Sequence, residues 1–98
     1  MNRTRQQFLA FHAEHPEVYW RLRALAFQYR RRGFDRVGIA TLFEVLRYER
    51  DMQGVRDAKG FRLNNNYKAH YARMLMVNNP ELDGIFETRN MRAEQVAA

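Results

Sequence analysis

The chain has 98 residues, of which 46% are hydrophobic and 29% charged, proportions that exclude a disordered tail and predict one small folded domain. It has no cysteine, which excludes a disulfide framework and a thiolate metal site, and no apolar run approaches the roughly 20 residues that span a bilayer. The formal net charge of +6 predicts an acidic partner, and the first residues lack the apolar segment of a secretion signal, so we expect a cytoplasmic protein.

The first half of the sequence predicts two consecutive helices. Thr4 and Gln7 have the spacing of a capping box, which opens the first helix. Pro16 ends that helix, because the residue before a proline avoids the helical region, and it also suits the first turn of the second helix. The second helix is expected to run to about Arg32 and to end at Gly33 in a left-handed cap.

Two further helices are predicted in the second half. Gly38 begins the third helix, which ends near residue 51, and residues 51–60 are predicted to form a flexible loop. Asn64 is the expected cap of the fourth helix, and the Asn-Asn-Pro sequence at residues 78–80 ends it. The inner face of this helix is predicted to consist of Tyr67, Tyr71, Met74 and Leu75.

Two short segments beside the fourth helix are predicted to be strands. Residues 61–63 would pair with residues 85–88 as a minor two-stranded element, the second strand following a turn at Gly84. The sequence thus predicts a mainly α fold of four helices, compatible with a winged-helix or helix-turn-helix-like arrangement. We expect one helical domain over residues 1–89 and a frayed C-terminal tail over residues 90–98.

Positive charge is concentrated in the first third of the chain. Residues 1–36 hold eight arginines against three acidic residues (8 − 3 = +5), whereas residues 37–98 hold nine basic against eight acidic residues (9 − 8 = +1). Dipole stabilisation at a helix C-terminus, roughly 0.3–1 kcal/mol for each cation, accounts for one or two arginines there but not for a cluster of four. The cluster is either a solvated helix end or a phosphate-binding site. It consists of Arg30, Arg31, Arg32 and Arg36.

The second helix also has an aromatic face, opposite its main apolar stripe, which consists of Val18, Leu22, Leu25, Ala26 and Tyr29. Trp20 and Phe27 lie seven residues apart, with Arg23 and Arg31 beside them. One interpretation is a central helix that is buried on both sides, so that the two rings belong to the core. The other is an exposed aromatic and arginine stripe, on which bases stack and to which phosphates bind.

The fourth helix has no acidic residue, and its outward face is a candidate reader of the major groove. Asparagine can contact adenine, and arginine guanine, through paired hydrogen bonds. The third and fourth helices would then resemble a helix-turn-helix, although about a dozen residues connect them and that motif has a turn of three or four. In the alternative, Asn64 only caps the helix and the next two asparagines are solvated. His70 is expected at the edge of this face. The candidate groove contacts are Asn65, Asn66, Lys68 and Arg73.

Catalysis is not expected from these residues. The chain has no serine and no cysteine, so the usual nucleophiles of acyl transfer are absent. His12 and His15 alone make an incomplete metal site. Glu81, Asp83 and Glu87 are not accompanied by the lysine on a strand that is typical of a nuclease site. We therefore expect no enzyme activity, no catalytic residue, no metal ion and no cofactor.

The stretch over residues 61–89, FRLNNNYKAHYARMLMVNNPELDGIFETR, and the helices before it carry a distinctive set of residues. The most specific are Phe8, Phe11, His12, Pro16, Phe43, Glu44, residues 64–66, Tyr67, Tyr71, Ala72, Arg73, Pro80 and residues 86–89. On these residues, and over roughly residues 5–89, the chain resembles a family of small bacteriophage and prophage proteins with no established activity or binding residue. The resemblance implies a phage-type accessory protein.

Two hypotheses of function follow. We expect a non-enzymatic nucleic-acid-binding protein with duplex DNA as its ligand, phosphates at the arginine cluster and base contacts from the fourth helix. The alternative is a phage-encoded protein-binding factor that docks on or inhibits a host or defence complex through the face of Trp20 and Phe27. Neither hypothesis involves a membrane.

Overall fold

The structure is a computed structural model that describes residues 3–52 and 63–86. The described residues form four α-helices: α1 (Arg3–Glu14), α2 (Pro16–Arg31), α3 (Ile39–Met52) and α4 (Lys68–Asn78). A 3-10 turn precedes α4 at Asn65–Tyr67, and another follows it at Pro80–Leu82. The prediction of a mainly α fold with four helices is confirmed.

Helix α2 lies at the centre of the fold and contacts α1, α3 and α4. Its predicted apolar stripe faces the core, and Leu22 has no exposed surface. Phe43 of α3 and Tyr71 of α4 are also fully enclosed, and their rings meet edge to face with centroids 6.1 Å apart. Burial of one large apolar side chain contributes roughly 1.5–3 kcal/mol, so these residues fix the mutual positions of three helices.

The end of α2 has the geometry of a Schellman cap. Gly33 has a φ of 93°, which a residue with a Cβ adopts only with strain. Its N–H donates to the Arg30 carbonyl at 3.0 Å, and the N–H of Phe34 donates to the Tyr29 carbonyl at 3.0 Å. The rings of Tyr29 and Phe34 meet edge to face at 5.1 Å, the apolar contact that accompanies such a cap. The predicted left-handed cap at Gly33 is confirmed.

The starts of α4 and α1 differ in how well they match the expected caps. The side chain of Asn64 accepts a hydrogen bond from the N–H of Asn66 at 2.8 Å, so the predicted cap is present, although it opens the 3-10 turn before α4. Helix α1 begins at Arg3, so Thr4 lies inside the first turn and is not the capping residue that its spacing predicted. Helix ends commonly shift by a residue or two, because their terminal hydrogen bonds are weak.

The predicted two-stranded element is wrong for the part that the structure describes. Leu63, Ile85 and Phe86 do not lie in strands, and the other residues of both predicted strands fall outside the described ranges. Ile85 and Phe86 are consecutive and both buried, whereas a strand on the surface of a core buries alternate residues. The Ile85 carbonyl instead accepts a hydrogen bond from the N–H of Val37 at 2.9 Å, which ties this segment to the link between α2 and α3.

A type II turn leads into Ile85, as the Asp-Gly pair predicted. Asp83 has φ −55° and ψ 130°, and Gly84 has a positive φ of 78°. The N–H of Ile85 donates to the Leu82 carbonyl at 3.0 Å and closes the turn. The turn places two buried residues directly after an exposed corner.

Helix α3 starts directly after Gly38, as predicted, and extends to Met52. It therefore occupies the first two positions of the predicted loop 51–60, and the rest of that loop lies outside the described residues. The predicted tail over residues 90–98 also lies outside them. No helix that the structure describes is long and apolar enough to cross a membrane.

Candidate functional site

The outer surface of α2 carries a line of aromatic and basic side chains, here called the α2 stripe: Trp20, Arg23, Phe27 and Arg31. At about 100° per residue, these positions fall within roughly 80° of one another around the helix axis. Trp20 is 59% exposed, and Arg31 is exposed as well, whereas Arg23 and Phe27 are partly buried. The interpretation that places both rings in the core is wrong for Trp20 and applies only to Phe27, which packs against the core.

Arg23 fixes the middle of the α2 stripe. Its guanidinium Cζ lies 4.7 Å from the centroid of the Phe27 ring and 5.8 Å from that of Trp20, distances at which aromatic faces attract a cation. Its Nε donates to the Oδ1 of Asn79 at 2.7 Å. These contacts hold the Arg23 side chain in place. The two rings and the amide are neutral groups, so they do not offset its positive charge.

Asn79 is the buried anchor of that arrangement, and its role was not predicted. It is 5% exposed, and its Nδ2 donates to the Tyr19 hydroxyl at 3.1 Å and to the Leu75 carbonyl at 2.9 Å. The sequence indicated only that this segment ends α4, which it does. Polar residues are common at helix ends, so no sequence signal distinguishes Asn79 from its exposed neighbour Asn78.

An open groove of about 480 Å³ lies between α2 and α3 beside Trp20. Its wall contains an ion pair in which Nε and Nη2 of Arg21 donate to the two carboxylate oxygens of Glu49. The hydrogen bonds from Arg21 hold the pKa of Glu49 below its usual value, against the opposing effect of burial. Glu17 and Arg50 complete the charged lining, so the groove carries two carboxylates and two guanidiniums.

Arg30, a member of the predicted phosphate site, ties the end of α2 to the segment after α4. Its Nε donates to the carbonyl of Glu81 at 3.0 Å, and its Nη2 donates to that of Asp83 at 2.8 Å. Its Nη1 donates to the carbonyls of Phe34 and Asp35 at 3.2 and 3.4 Å. These acceptors are neutral backbone oxygens, so the charge of Arg30 persists, but each guanidinium nitrogen is already engaged.

The other three arginines of the cluster are exposed, and none of them forms an ion pair within the described part of the chain. They are Arg31, Arg32 and Arg36. The fold nevertheless brings the acidic segment with Glu81 and Asp83 against this end of α2, because Arg30 bonds to its backbone. The local positive excess is therefore smaller than the count along the chain indicates.

The candidate groove contacts in α4 and in the 3-10 turn before it are accessible to different degrees. Asn65 and Asn66 are exposed, whereas Lys68 and Arg73 are partly buried. The Oδ1 of Asn65 accepts a hydrogen bond from Nη2 of Arg47 at 2.6 Å. A paired contact to adenine uses both the oxygen and the nitrogen of the amide, so a base has to share the Oδ1 of Asn65 with Arg47.

His70, expected at the edge of this outward face, is buried instead. Its ring stacks on Phe8 of α1, with centroids 5.1 Å apart and an angle of 17° between the planes. Helix α1 therefore covers this side of α4, a tertiary contact that the periodicity of α4 alone does not reveal.

The arginine cluster and Asn65 lie toward opposite ends of α3. Asn65 bonds to Arg47 in the C-terminal half of α3, whereas Arg36 precedes the first turn of that helix. The eight positions from Ile39, where α3 begins, to Arg47 correspond to roughly 12 Å along the helix. Asn65 and the arginine cluster are therefore not adjacent.

No three His, Asp or Glu side chains in residues 3–52 and 63–86 are grouped to hold a metal ion. His15 lies 3.6 Å from the carboxylate of Glu17 and 4.0 Å from that of Glu14. His12 packs edge to face against Tyr19, with ring centroids 5.4 Å apart. The two histidines therefore take part in separate contacts.

The fold and this surface define a small, mainly α protein whose central helix exposes aromatic and basic side chains. Comparison of the chain with models of known protein families, with curated proteins and with solved structures finds no match. Its function is therefore inferred from the arrangement of its own residues.

Proposed function

We propose that this protein binds nucleic acid without catalysing a reaction, and that the α2 stripe and the arginines after it form the contact surface. The observation that carries the proposal is the continuity of this surface along one side of one helix. It begins at exposed Trp20, passes the fixed cation of Arg23 and ends at exposed Arg31. Cations in line with an exposed aromatic ring suit a polymer that offers both phosphates and bases.

Duplex DNA is the first ligand to test. In a helix-turn-helix-like version of the proposal, α4 would enter the major groove while the arginine cluster holds the phosphates. The bond between Asn65 and Arg47 disfavours that version, as does the separation of Asn65 from the arginine cluster along α3. We therefore place the main phosphate contacts on α2 and treat the α4 contacts as the competing location. These contacts are Asn65 and Asn66 of the 3-10 turn before α4, and Lys68 and Arg73 of α4 itself.

The test is a titration of the full chain with labelled duplex DNA at about 50 and 200 mM salt, a range over which phosphate-driven binding weakens steeply. The logarithm of the binding constant is expected to fall with that of the salt concentration, with a slope of roughly −0.9 for each phosphate contact. Replacing Arg31 and Arg32 together by alanine is expected to reduce the size of the slope by about 2.

The variant Lys68→Ala locates the contact surface. It removes one positive charge from the first turn of α4 and leaves the α2 stripe intact. If α2 carries the phosphates, Lys68→Ala changes the affinity much less than the paired arginine variant does. A larger effect of Lys68→Ala assigns the contact to α4. If the full chain does not bind DNA, or if its affinity does not depend on salt, the proposal is contradicted.

A second candidate function is protein binding, as a phage-type factor that docks on or inhibits a host or defence complex. The exposure of Trp20 favours it, because large aromatic residues are enriched at the centres of protein interfaces. Trp20 is the only tryptophan, so its fluorescence reports on this face directly. We expect red, readily quenched emission from the free chain. Emission that neither duplex nor single-stranded DNA changes at low salt would support a surface that binds protein.

A further inference from the structure

The α2 stripe and the groove beside it indicate which form of nucleic acid suits this surface. We propose that it binds single-stranded nucleic acid, with one base stacked on Trp20 at the groove between α2 and α3 and the neighbouring phosphates along Arg23 and Arg31. This inference rests on the proposed nucleic-acid-binding function and specifies its ligand class.

The indole ring of Trp20 is held by neighbouring side chains and faces the open groove between α2 and α3. The guanidinium of Arg23 lies over the indole with its Cζ 5.8 Å from the ring centroid, and Tyr19 meets the indole edge to face at 5.2 Å. The same indole lines the groove, whose volume of about 480 Å³ falls within the roughly 300–1,000 Å³ of small-ligand sites. A ring held by its neighbours and open toward a groove is a platform for an unpaired base.

The charges around the indole decide which part of a nucleotide enters the groove. The two carboxylates and two guanidiniums of the lining leave no net charge to attract a phosphate. Arg21 in particular is committed to Glu49 through two hydrogen bonds. Arg23, in contrast, is held by neutral groups and keeps its charge. A base in the groove and phosphates on the Arg23 side therefore avoid placing a phosphate beside a carboxylate.

A duplex does not use this site well. Its bases are paired and stacked on one another, so a base has to leave the helix before it meets Trp20. The stripe from Trp20 to Arg31 covers 11 positions, which is roughly 16 Å along the helix axis. So short a surface suits the low end of the range of about 4–16 nucleotides that single-strand sites occupy.

The experiment compares a labelled single-stranded oligothymidylate of about 12 nucleotides, within the usual site sizes, with a duplex of equal length on the full chain. We expect tighter binding of the single strand and saturable quenching of Trp20 fluorescence. Trp20→Ala is expected to weaken single-strand binding by about 5- to 150-fold, the contribution of one stacked base, and to leave duplex binding unchanged. Tyr48→Ala is the matched control, since it removes a 64% exposed ring of α3 that does not line the groove.

The outcomes separate this inference from the proposed function. Equal affinity for the two forms of DNA, or equal losses for Trp20→Ala and Tyr48→Ala, overturns the single-strand site while salt-dependent binding remains. Absence of salt-dependent binding to every probe overturns both. If circular dichroism shows that Trp20→Ala has an altered fold, Trp20→Phe replaces it. That variant keeps a smaller ring and is expected to bind more weakly than the wild type but without loss of fold, and an unchanged affinity contradicts the stacking role.

Discussion

The Nη2 of Arg30 donates a 2.8 Å hydrogen bond to the backbone carbonyl of Asp83, so a residue of the arginine cluster also fastens the end of α2 to the segment after α4. The same guanidinium donates to the carbonyls of Glu81 and Phe34. Arg30→Ala is expected to lower the free energy of unfolding by about 1–3 kcal/mol, because several hydrogen bonds are lost together. Urea denaturation followed by circular dichroism measures the change.

Arg32→Ala is the matched control for this prediction. Arg32 is exposed, and its side chain makes no hydrogen bond to another residue within the described ranges, so its replacement should change the stability by less than about 0.5 kcal/mol. Arg30→Lys is not expected to restore the lost stability, because an ammonium cannot present the planar fork of donors. Equal stabilities of Arg30→Ala and Arg32→Ala would contradict the structural role of Arg30.

Gly33 is a second point on which the end of α2 depends. Its φ of 93° lies in the left-handed region, and a Cβ added there would meet no atom within 4 Å. Gly33→Ala is therefore expected to lower the free energy of unfolding by about 1–2 kcal/mol through backbone strain alone. Gly38→Ala is the control, because Gly38 has no positive φ and its Cβ would make an ordinary contact, 3.6 Å from the Oγ1 of Thr41. Urea unfolding of the two variants checks the difference, and equal losses would argue against the strained cap.

Much of the fold follows from local signals in the sequence. Pro16, Gly33 and Asn64 each impose a constraint that acts on immediate neighbours. The structure confirms the expected helix boundaries at Pro16 and Gly33, whereas Asn64 makes the predicted capping hydrogen bond but α4 begins only at Lys68, after a 3-10 turn. The predicted strand at Ile85 failed for the opposite reason. The conformation there is set by a hydrogen bond to Val37, which is distant in sequence, and by burial of two consecutive side chains.

The candidate site was less predictable, because exposure and side-chain bonding depend on long-range packing. Trp20 and Phe27 occupy equivalent positions on one helix, and the helical period does not tell which of the two rings is covered. The bonds of Arg47 to Asn65 and of Arg23 to Asn79 join residues 18 and 56 positions apart. Such contacts depend on how the helices pack against one another, which local sequence patterns do not specify.

The ion pair of Arg21 and Glu49 makes part of the stability sensitive to acid. Hydrogen bonds from Arg21 lower the pKa of Glu49 in the folded state, so the stabilisation is present above its ordinary value of 4.5 and is lost as the pH falls through the lowered pKa. Glu49→Gln is expected to lower stability at neutral pH by no more than about 1 kcal/mol, because the pair is partly exposed and screened.

Urea unfolding at neutral pH and in acid tests this dependence on Glu49. The difference between wild type and Glu49→Gln should shrink as the pH falls below the ordinary glutamate value, because wild-type Glu49 then becomes protonated as well. Glu44→Gln is the control, since that carboxylate is 73% exposed and pairs with Arg47 only three positions away. A difference that stays constant from neutral pH into acid would contradict the assignment.

Tyr71 is completely buried, and its hydroxyl has no hydrogen-bond partner among the residues that the structure describes. A buried polar group left in this state costs roughly 1–3 kcal/mol. Tyr71→Phe is therefore expected to leave the free energy of unfolding at neutral pH unchanged or to raise it by about 1 kcal/mol. Urea denaturation measures this change, and a clear loss of stability would show that the hydroxyl makes a stabilising contact.

Alkaline pH provides an independent test of the same burial. Burial, with smaller contributions from the charge of Glu17 and from Tyr67, raises the pKa of Tyr71 above its ordinary value of 10.0. The folded state thus holds the phenol proton more tightly than the unfolded state does, and stability falls as the pH rises above about 10 toward the raised pKa. Tyr71→Phe has no phenol to ionise, so its free energy of unfolding relative to the wild type should increase with pH in that window. Tyr48→Phe is the control: it alters an exposed ring, and its free energy of unfolding should change with pH as that of the wild type does. Parallel curves for Tyr71→Phe and wild type above pH 10 would mean that the phenol of Tyr71 reaches water before the chain unfolds.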